Sequence, residues 1–288
     1  MDTPTPILPP TFIKALAAGD LHIEKAAKNL NNIVTDFSTS FHAPTVEAPA
    51  CRILTAQGAP LKAPIQSHLS AARWLLGVRM TEHLLDLIDA LLRYRVFNAA
   101  LDCRAIVEIA AATVYLQEKL KATMDLPSED ALRGALDELH RSIAGGRFDW
   151  ITARDNAAML KNLELYRAGE DPELPADQRA TSVLTMLRKL DQRVQSRFKA
   201  VASGTLSDVQ GGVIRAVYAQ LSDICHPATG TAILLSERSD RNGWVRMKNT
   251  TGERETRWFF WNLGIFIPTV ADVALDSLVR MNNLTPNS

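Results

Sequence analysis

The sequence predicts an all-α protein, a helical bundle carrying one small β-hairpin near its C-terminus. Three observations carry this. Two long segments, HLSAARWLLGVRMTEHLLDLIDALL and AALDCRAIVEIAAATVYLQEKLKATM, are apolar on more than one face, as central helices are. A third, around residues 178–202, repeats Leu184, Leu187, Leu190, Val194, Phe198 and Val201 every three or four positions. Only TAILLSE and WVRMKN, with Asn242-Gly243 between them, read as a strand pair, placing the hairpin at about 231–250.

The elements follow in order. Residues 1–10 are proline-rich and extended. Ile13, Leu16, Leu21, Ile23, Ala26, Leu30 and Ile33 then mark one or two amphipathic helices. Residues 37–66 collect prolines and small polar residues, so 1–66 is expected to be an N-terminal helical arm with a Pro-rich linker, and 67–288 the bundle. RYRVFN breaks the two central helices. Ser128-Glu129-Asp130 opens a short helix toward His140, which Gly145-Gly146 closes, and 150–167 is a further helical stretch. A last helix runs from about Glu255 to the asparagines at 282 and 283, with a kink at Pro268.

Composition removes several function classes. The 288 residues carry 32 Lys plus Arg against 32 Asp plus Glu, so no global charge points to nucleic acid or a membrane surface. Cys51, Cys103 and Cys225 stand far apart with no Cys/His cluster, which speaks against a metal site and suits a reducing cytosol. No glycine-rich phosphate loop occurs, and no cofactor is expected. The start MDTPTPILPPTF lacks the basic and apolar regions of a signal peptide, so a cytoplasmic location is expected. The most apolar window, WFFWNLGIFIPTVADVAL, is interrupted by Asn262, Gly264, Pro268 and Asp272 and reads as a core helix rather than a membrane span.

Chemistry-bearing residues fall in two helices. In LDCRAIVEIAAATVYL, Arg104 and Glu108 stand four apart on one face amid apolar neighbours. In YAQLSDICHPATG, counting back from His226 at about 100° per residue puts Ser222, Tyr218 and Arg215 on nearly the same side. Two readings stay open. The groups form a polar lock that specifies the fold, with His226 capping carbonyls and Ser222 bonding back one turn. Alternatively, His226 does general acid/base work while an arginine stabilises phosphate oxygens, which is the equipment for metal-independent RNA cleavage with the RNA 2′-hydroxyl as nucleophile. Lys189, Arg193 and Arg197 lie opposite the apolar stripe of their helix. They form either a solvated polar face or an RNA contact surface.

The two passages together, LLRYRVFNAALDCRAIVEIAAATVYL and YAQLSDICHP, resemble a bacterial family named only as domain of unknown function 5677. Its pattern is an R-x-x-x-E helix followed by a Y-x-x-L-S-x-x-x-H helix. Arg104, Glu108, Tyr218, Leu221, Ser222 and His226 match it position by position, over roughly residues 70–275. That family is similar to the HEPN superfamily (higher eukaryotes and prokaryotes nucleotide-binding), whose helical bundles include metal-independent ribonucleases of toxin–antitoxin and phage-defence systems, often dimeric, and some non-catalytic members. The resemblance therefore implies a HEPN-like bundle, RNA as substrate, and a homodimer or a defence or regulatory partner. The usual HEPN motif places an arginine four to six residues before the histidine. Here those positions are Gln220, Leu221 and Ser222, and Arg215 lies about 16 Å away along a straight helix. Arg104, from another helix, is the expected substitute.

Overall fold

Two long helices set the frame of the computed structural model, which describes residues 7–41, 62–124, 129–144, 164, 182–201, 212–226, 229–238, 245–248 and 250–284. They are α3 (Lys62–Leu92) and α4 (Val96–Met124). The turn between them is made by Tyr94, at φ 57°, with the Arg95 N–H reaching back to the Ala90 carbonyl at 2.8 Å. Thr251 clamps this turn, donating to the Tyr94 carbonyl and accepting from the Val96 N–H.

Around this pair lie α1 (Pro10–Ala17), α2 (Leu21–Ser40), α5 (Glu129–Ala144), α6 (Val183–Val201), α7 (Val213–Cys225), α8 (Thr229–Leu235), α9 (Glu253–Asn262) and α10 (Ile267–Asn282). Helix α4 packs against α3, α5, α6, α7, α9 and α10. Its alanines at 99, 100, 110 and 111 are fully buried and let those neighbours approach closely. The described residues are thus almost entirely helical, as the sequence predicts.

The N-terminal helices correct the expected domain division. Leu8, Leu16, Ala27, Leu30, Val34 and Phe37 belong to the same buried cluster as α3 and α4, so residues 7–41 are part of the bundle rather than a separate arm. The reason is local. Helix α1 ends at Ala18 and Gly19, both at positive φ, and Asp20 caps α2 by accepting from the His22 and Ile23 N–H groups. This tight turn folds two apolar stripes toward one core. Asn31 exchanges two hydrogen bonds with the Leu8 backbone, and the Trp261 indole donates to the Leu16 carbonyl at 2.8 Å. The bundle resumes at Lys62; residues 42–61 lie outside the described residues.

Two C-terminal elements also differ from expectation. TAILL is helical, and the hairpin is shorter: β1 (Ser236–Arg238) pairs antiparallel with β2 (Val245–Met247), Ser236 opposite Met247. A short apolar run has no period that separates strand from helix. Here Thr231 decides it, donating to the Ile224 and His226 carbonyls and so folding α8 onto the end of α7. The expected turn at Asn242-Gly243, the helix ends at Ser128 and Gly145-Gly146, and the stretch 150–167 fall outside the described residues, save for helical Glu164.

The final helix is also broken, but not by Pro268. That proline sits in the first turn of α10, where its missing N–H costs nothing. The 50° bend falls at the preceding residues, through a 3₁₀ turn at Gly264–Phe266. Gly264 is needed there, because a Cβ would lie 2.7 Å from the Phe260 ring. Among the described residues no single helix is long and apolar enough to cross a membrane; only this bent pair reaches that length and composition together.

Two predictions test this packing. A Cβ on Gly77 would lie 2.3 Å from the Phe41 ring, where the end of α2 crosses α3. Gly77→Ala should destabilise by about 1–3 kcal/mol in denaturant unfolding, and the cost should fall when Phe41 is also cut to alanine. Additive losses would show that α2 does not rest on α3 at this point.

The second concerns Glu255, which ties α9 to the hairpin. Its side chain is almost fully buried and receives Lys248 at 2.9 Å, Arg254 at 3.0 Å and the Gly252 N–H at 2.9 Å. Burial pushes its pKa up, but those bonds outweigh it and hold the carboxyl at about 2, below the ordinary 4.5. A depressed carboxyl stabilises fully above its unfolded value and loses that contribution as pH falls through the folded one. Wild type should therefore exceed Glu255→Gln in stability at neutral pH, with the gap closing between about pH 4.5 and 2. A gap independent of pH would sink this assignment.

Candidate functional site

Helix α7 reaches α4 because its first turn is held from outside. Gly212, at φ 114°, precedes it with no capping side chain, and buried Asp191 of α6 accepts the Ile214 N–H at 3.0 Å instead. Asp191 also faces Arg215 at 3.5 Å, so Arg215 is engaged at the helix start and not with the rest of the stripe. Ile214, Val217, Leu221 and Ile224 bury the inner face of α7, which turns Tyr218 toward Arg104 and Glu108.

There the three polar groups close on one another. The Arg104 Nε donates to Glu108 Oε1 at 3.0 Å, and Tyr218 OH donates to the same oxygen at 2.8 Å. A guanidinium Nη2 donates back to Tyr218 OH at 3.4 Å, with the guanidinium carbon 5.4 Å from the phenol ring centroid. Burial works against the Arg104 charge, but the bonds to Tyr218 and Glu108 outweigh it and raise its pKa. Burial, reinforced by Glu108, pushes the Tyr218 phenol up as well, with Arg104 pulling against them. Arg104 is thus a fixed cation and Tyr218 a neutral donor. The cluster is not sealed: the side chains of Arg104 and Glu108 remain 29% and 41% exposed, enough for an outside group to reach them.

The C-terminal end of α7 departs from the expected stripe. Ser222 donates to the Tyr218 carbonyl at 2.9 Å, as the lock reading expects. His226, however, is the residue after the helix, with extended backbone at φ −99° and ψ 155°. Its imidazole is exposed and has no hydrogen bond or ion pair to any described residue. A proline disfavours the α region at the residue before it, and Pro227 biases His226 in this way.

Cys225, which directly precedes His226, lies close enough to Arg104 and Glu108 to feel both charges. Burial raises its thiol, Arg104 pulls it down and Glu108 pushes it up, with a net rise. Cys103 is fully buried and its thiol is held well above the ordinary range. Both stay protonated at neutral pH and are poor nucleophiles.

The three basic residues of α6 do not present a free cationic face. Lys189 pairs with Glu118 at 3.2 Å, Arg193 with Asp276 at 3.5 Å, and Arg197 with Asp272. All three sit where α6 meets α4 or α10, half-exposed and each opposite a carboxylate. Burial raises Asp272, with Arg197 lowering it and Asp276 and Asp36 adding to the rise.

Sequence reasoning missed one pair. His83 Nδ1 lies 3.0 Å from Asp102 Oδ1, joining α3 to α4 two residues before Arg104. An aspartate fixing one imidazole nitrogen leaves the other to face outward, and His83 is 30% exposed. The signal was faint: each residue stands alone in its helix, and only the antiparallel register of α3 and α4 brings them together. Among the described residues no group of three or more His, Cys, Asp or Glu could hold a metal ion.

Compared with family models, with curated proteins and with solved structures, the chain finds no match.

Tyr218→Phe tests the three-way closure. Losing the hydroxyl should cost about 1 kcal/mol in denaturant unfolding, and much less in a Glu108→Gln background, where the charged acceptor is already gone. Equal losses in both backgrounds would mean the phenol bond contributes nothing specific.

Proposed function

We propose that the protein is a metal-independent endoribonuclease with a HEPN-like bundle, of the kind found in bacterial toxin and phage-defence systems, in which His226 moves the proton and Arg104 receives the phosphate. One observation supports this best. His226 is an exposed imidazole with no partner among the described residues, placed directly after Cys225, which itself lies in the field of Arg104. A residue kept only for a lock would be buried and bonded. This one is neither.

The chemistry follows from what each group can do. The RNA supplies its own nucleophile, the 2′-hydroxyl, which attacks the adjacent phosphorus while the 5′-oxygen leaves. His226 accepts the 2′-hydroxyl proton, and its conjugate acid returns a proton to the departing oxygen. Negative charge grows on the non-bridging oxygens, where a preorganised guanidinium is worth most. Glu108 and Tyr218 are positioning residues, since they fix the Arg104 plane through Nε and Nη2. Ser222 stays bonded to the backbone and helps set the helix end that carries His226. Lys189 and Arg197 would contact RNA by exchanging their carboxylate partners for phosphates, and Arg193 through the N–H groups that its one Asp276 contact leaves over.

A second reading has its own support. Arg104, Glu108 and Tyr218 satisfy one another, so the site itself has little unspent positive charge. That favours a non-catalytic regulatory subunit docking on a second copy or on a defence protein, with His226 as a contact residue.

Wild type and His226→Ala should be compared for growth arrest on expression and for cleavage of total RNA in EDTA, with thermal midpoints measured in parallel. Cleavage by wild type that falls at least a hundredfold in the variant, at an unchanged midpoint, is the expected result. Because His226 is exposed and unbonded, the variant should fold normally. No cleavage by wild type would leave the regulatory reading.

A further inference from the structure

We infer that a second site lies at the far end of α4, a cleft that binds the phosphate group of a small phosphorylated molecule. The cleft is about 320 Å³, at the lower end of the range for small-molecule sites, and is formed where α4, α6 and α10 meet. Gln117, Glu118, Lys121 and Ala122 line it from α4, Arg193 from α6 and Arg280 from α10. Gln117 and Arg104 are thirteen positions apart on α4, about 20 Å along the helix, so this is not part of the Arg104 site.

Two observations point to an anion. First, Gln117 lines the cleft although it is only 5% exposed, and its amide makes no hydrogen bond to any described residue. A buried amide without a partner is costly, and one that faces a cleft is placed to bond whatever enters. Second, the cations outnumber the acids. Arg193 and Arg280 converge on one oxygen of Asp276, at 3.5 and 2.9 Å, which leaves most of their guanidinium N–H groups uncommitted. Glu118 is paired with Lys189, and Lys121 projects from the exposed rim. Lys121, Lys189, Arg193 and Arg280 against Glu118 and Asp276 leave a surplus of two positive charges.

That combination suits a phosphate dianion. Two guanidinium groups and an ammonium supply charged donors, and the Gln117 amide supplies a neutral donor and an acceptor for a hydroxyl or ring group beside it. The small volume, about 320 Å³, favours a small molecule over a strand. An RNA backbone offers the same phosphate chemistry, and the experiment separates the two sources.

Full-length protein would be titrated by calorimetry with inorganic pyrophosphate, adenosine monophosphate, adenosine and a short single-stranded RNA. The phosphate-bearing small probes should bind and adenosine should not. Lys121→Ala and Arg280→Ala, both on the exposed rim, should each weaken binding about five- to tenfold. Gln117→Met, nearly isosteric, should weaken it too while leaving the ligand-free thermal midpoint unchanged or higher, since an unpartnered amide is removed. His226→Ala should bind as wild type does, whatever its effect on RNA, so failure of the ribonuclease reading would not be mistaken for failure here. Binding of RNA alone, no binding of either small phosphate, or equal binding by the cleft variants would overturn the inference.

Discussion

The enclosure of α4 is the constraint on which the rest depends. A helix packed against six others can place a buried polar side chain only against a neighbour's, and each such group must be satisfied there or carry its desolvation cost. The polar residues of α4 show this along its length. Asp102 meets His83 of α3, Arg104 and Glu108 meet Tyr218 of α7, and Glu118 meets Lys189 of α6. Thr113, fully buried, turns its hydroxyl back to the Ile109 carbonyl. Gln117 is the exception, and it is the one that opens on a cleft.

These contacts also register the helices. An apolar stripe against an alanine-rich helix specifies proximity but tolerates sliding, whereas a hydrogen bond between Tyr218 and Glu108 permits one axial position. Asp191 acts in the same way at the start of α7, since it must meet the Ile214 N–H while remaining buried. The helix is therefore pinned at its first turn by α6 and at its middle by α4, and the position of Cys225 follows. Any chemistry at that end relies on rigid helices rather than on a loop.

Much of this was legible in the sequence, and the rest was not for identifiable reasons. The central helices were readable because α3 and α4 are apolar around most of their circumference, which only a surrounded helix can be. The Arg104–Glu108 bond is local and follows from four-residue spacing. Its meeting with Tyr218 agrees with the polar-lock reading, which rested on the helical spacing of the α7 stripe and on the resemblance. Nothing local indicated that Lys189, Arg193 and Arg197 would each face a carboxylate, because Glu118, Asp276 and Asp272 lie on other helices. The N-terminal arm was misjudged because the Pro-rich stretch after Phe41 looks like a boundary. The side chains of Leu30, Val34 and Phe37 reveal where α2 belongs only once α3 and α10 are in place.

His226 shows how a local rule can override a pattern that looks sound. The four-residue spacing Tyr218, Ser222, His226 assumes a helix that continues through the histidine, yet Pro227 disfavours helical backbone at the residue before it, and His226 is extended. The consequence is not disorder. The His226 N–H still donates to the Ser222 carbonyl at 3.1 Å, and its own carbonyl accepts from Thr231 at 2.6 Å, so the backbone is fixed on both sides. Beyond that fixed Cα the imidazole is exposed and bonds to no described residue, so the path of the chain past α7 is set by the backbone and not by the ring.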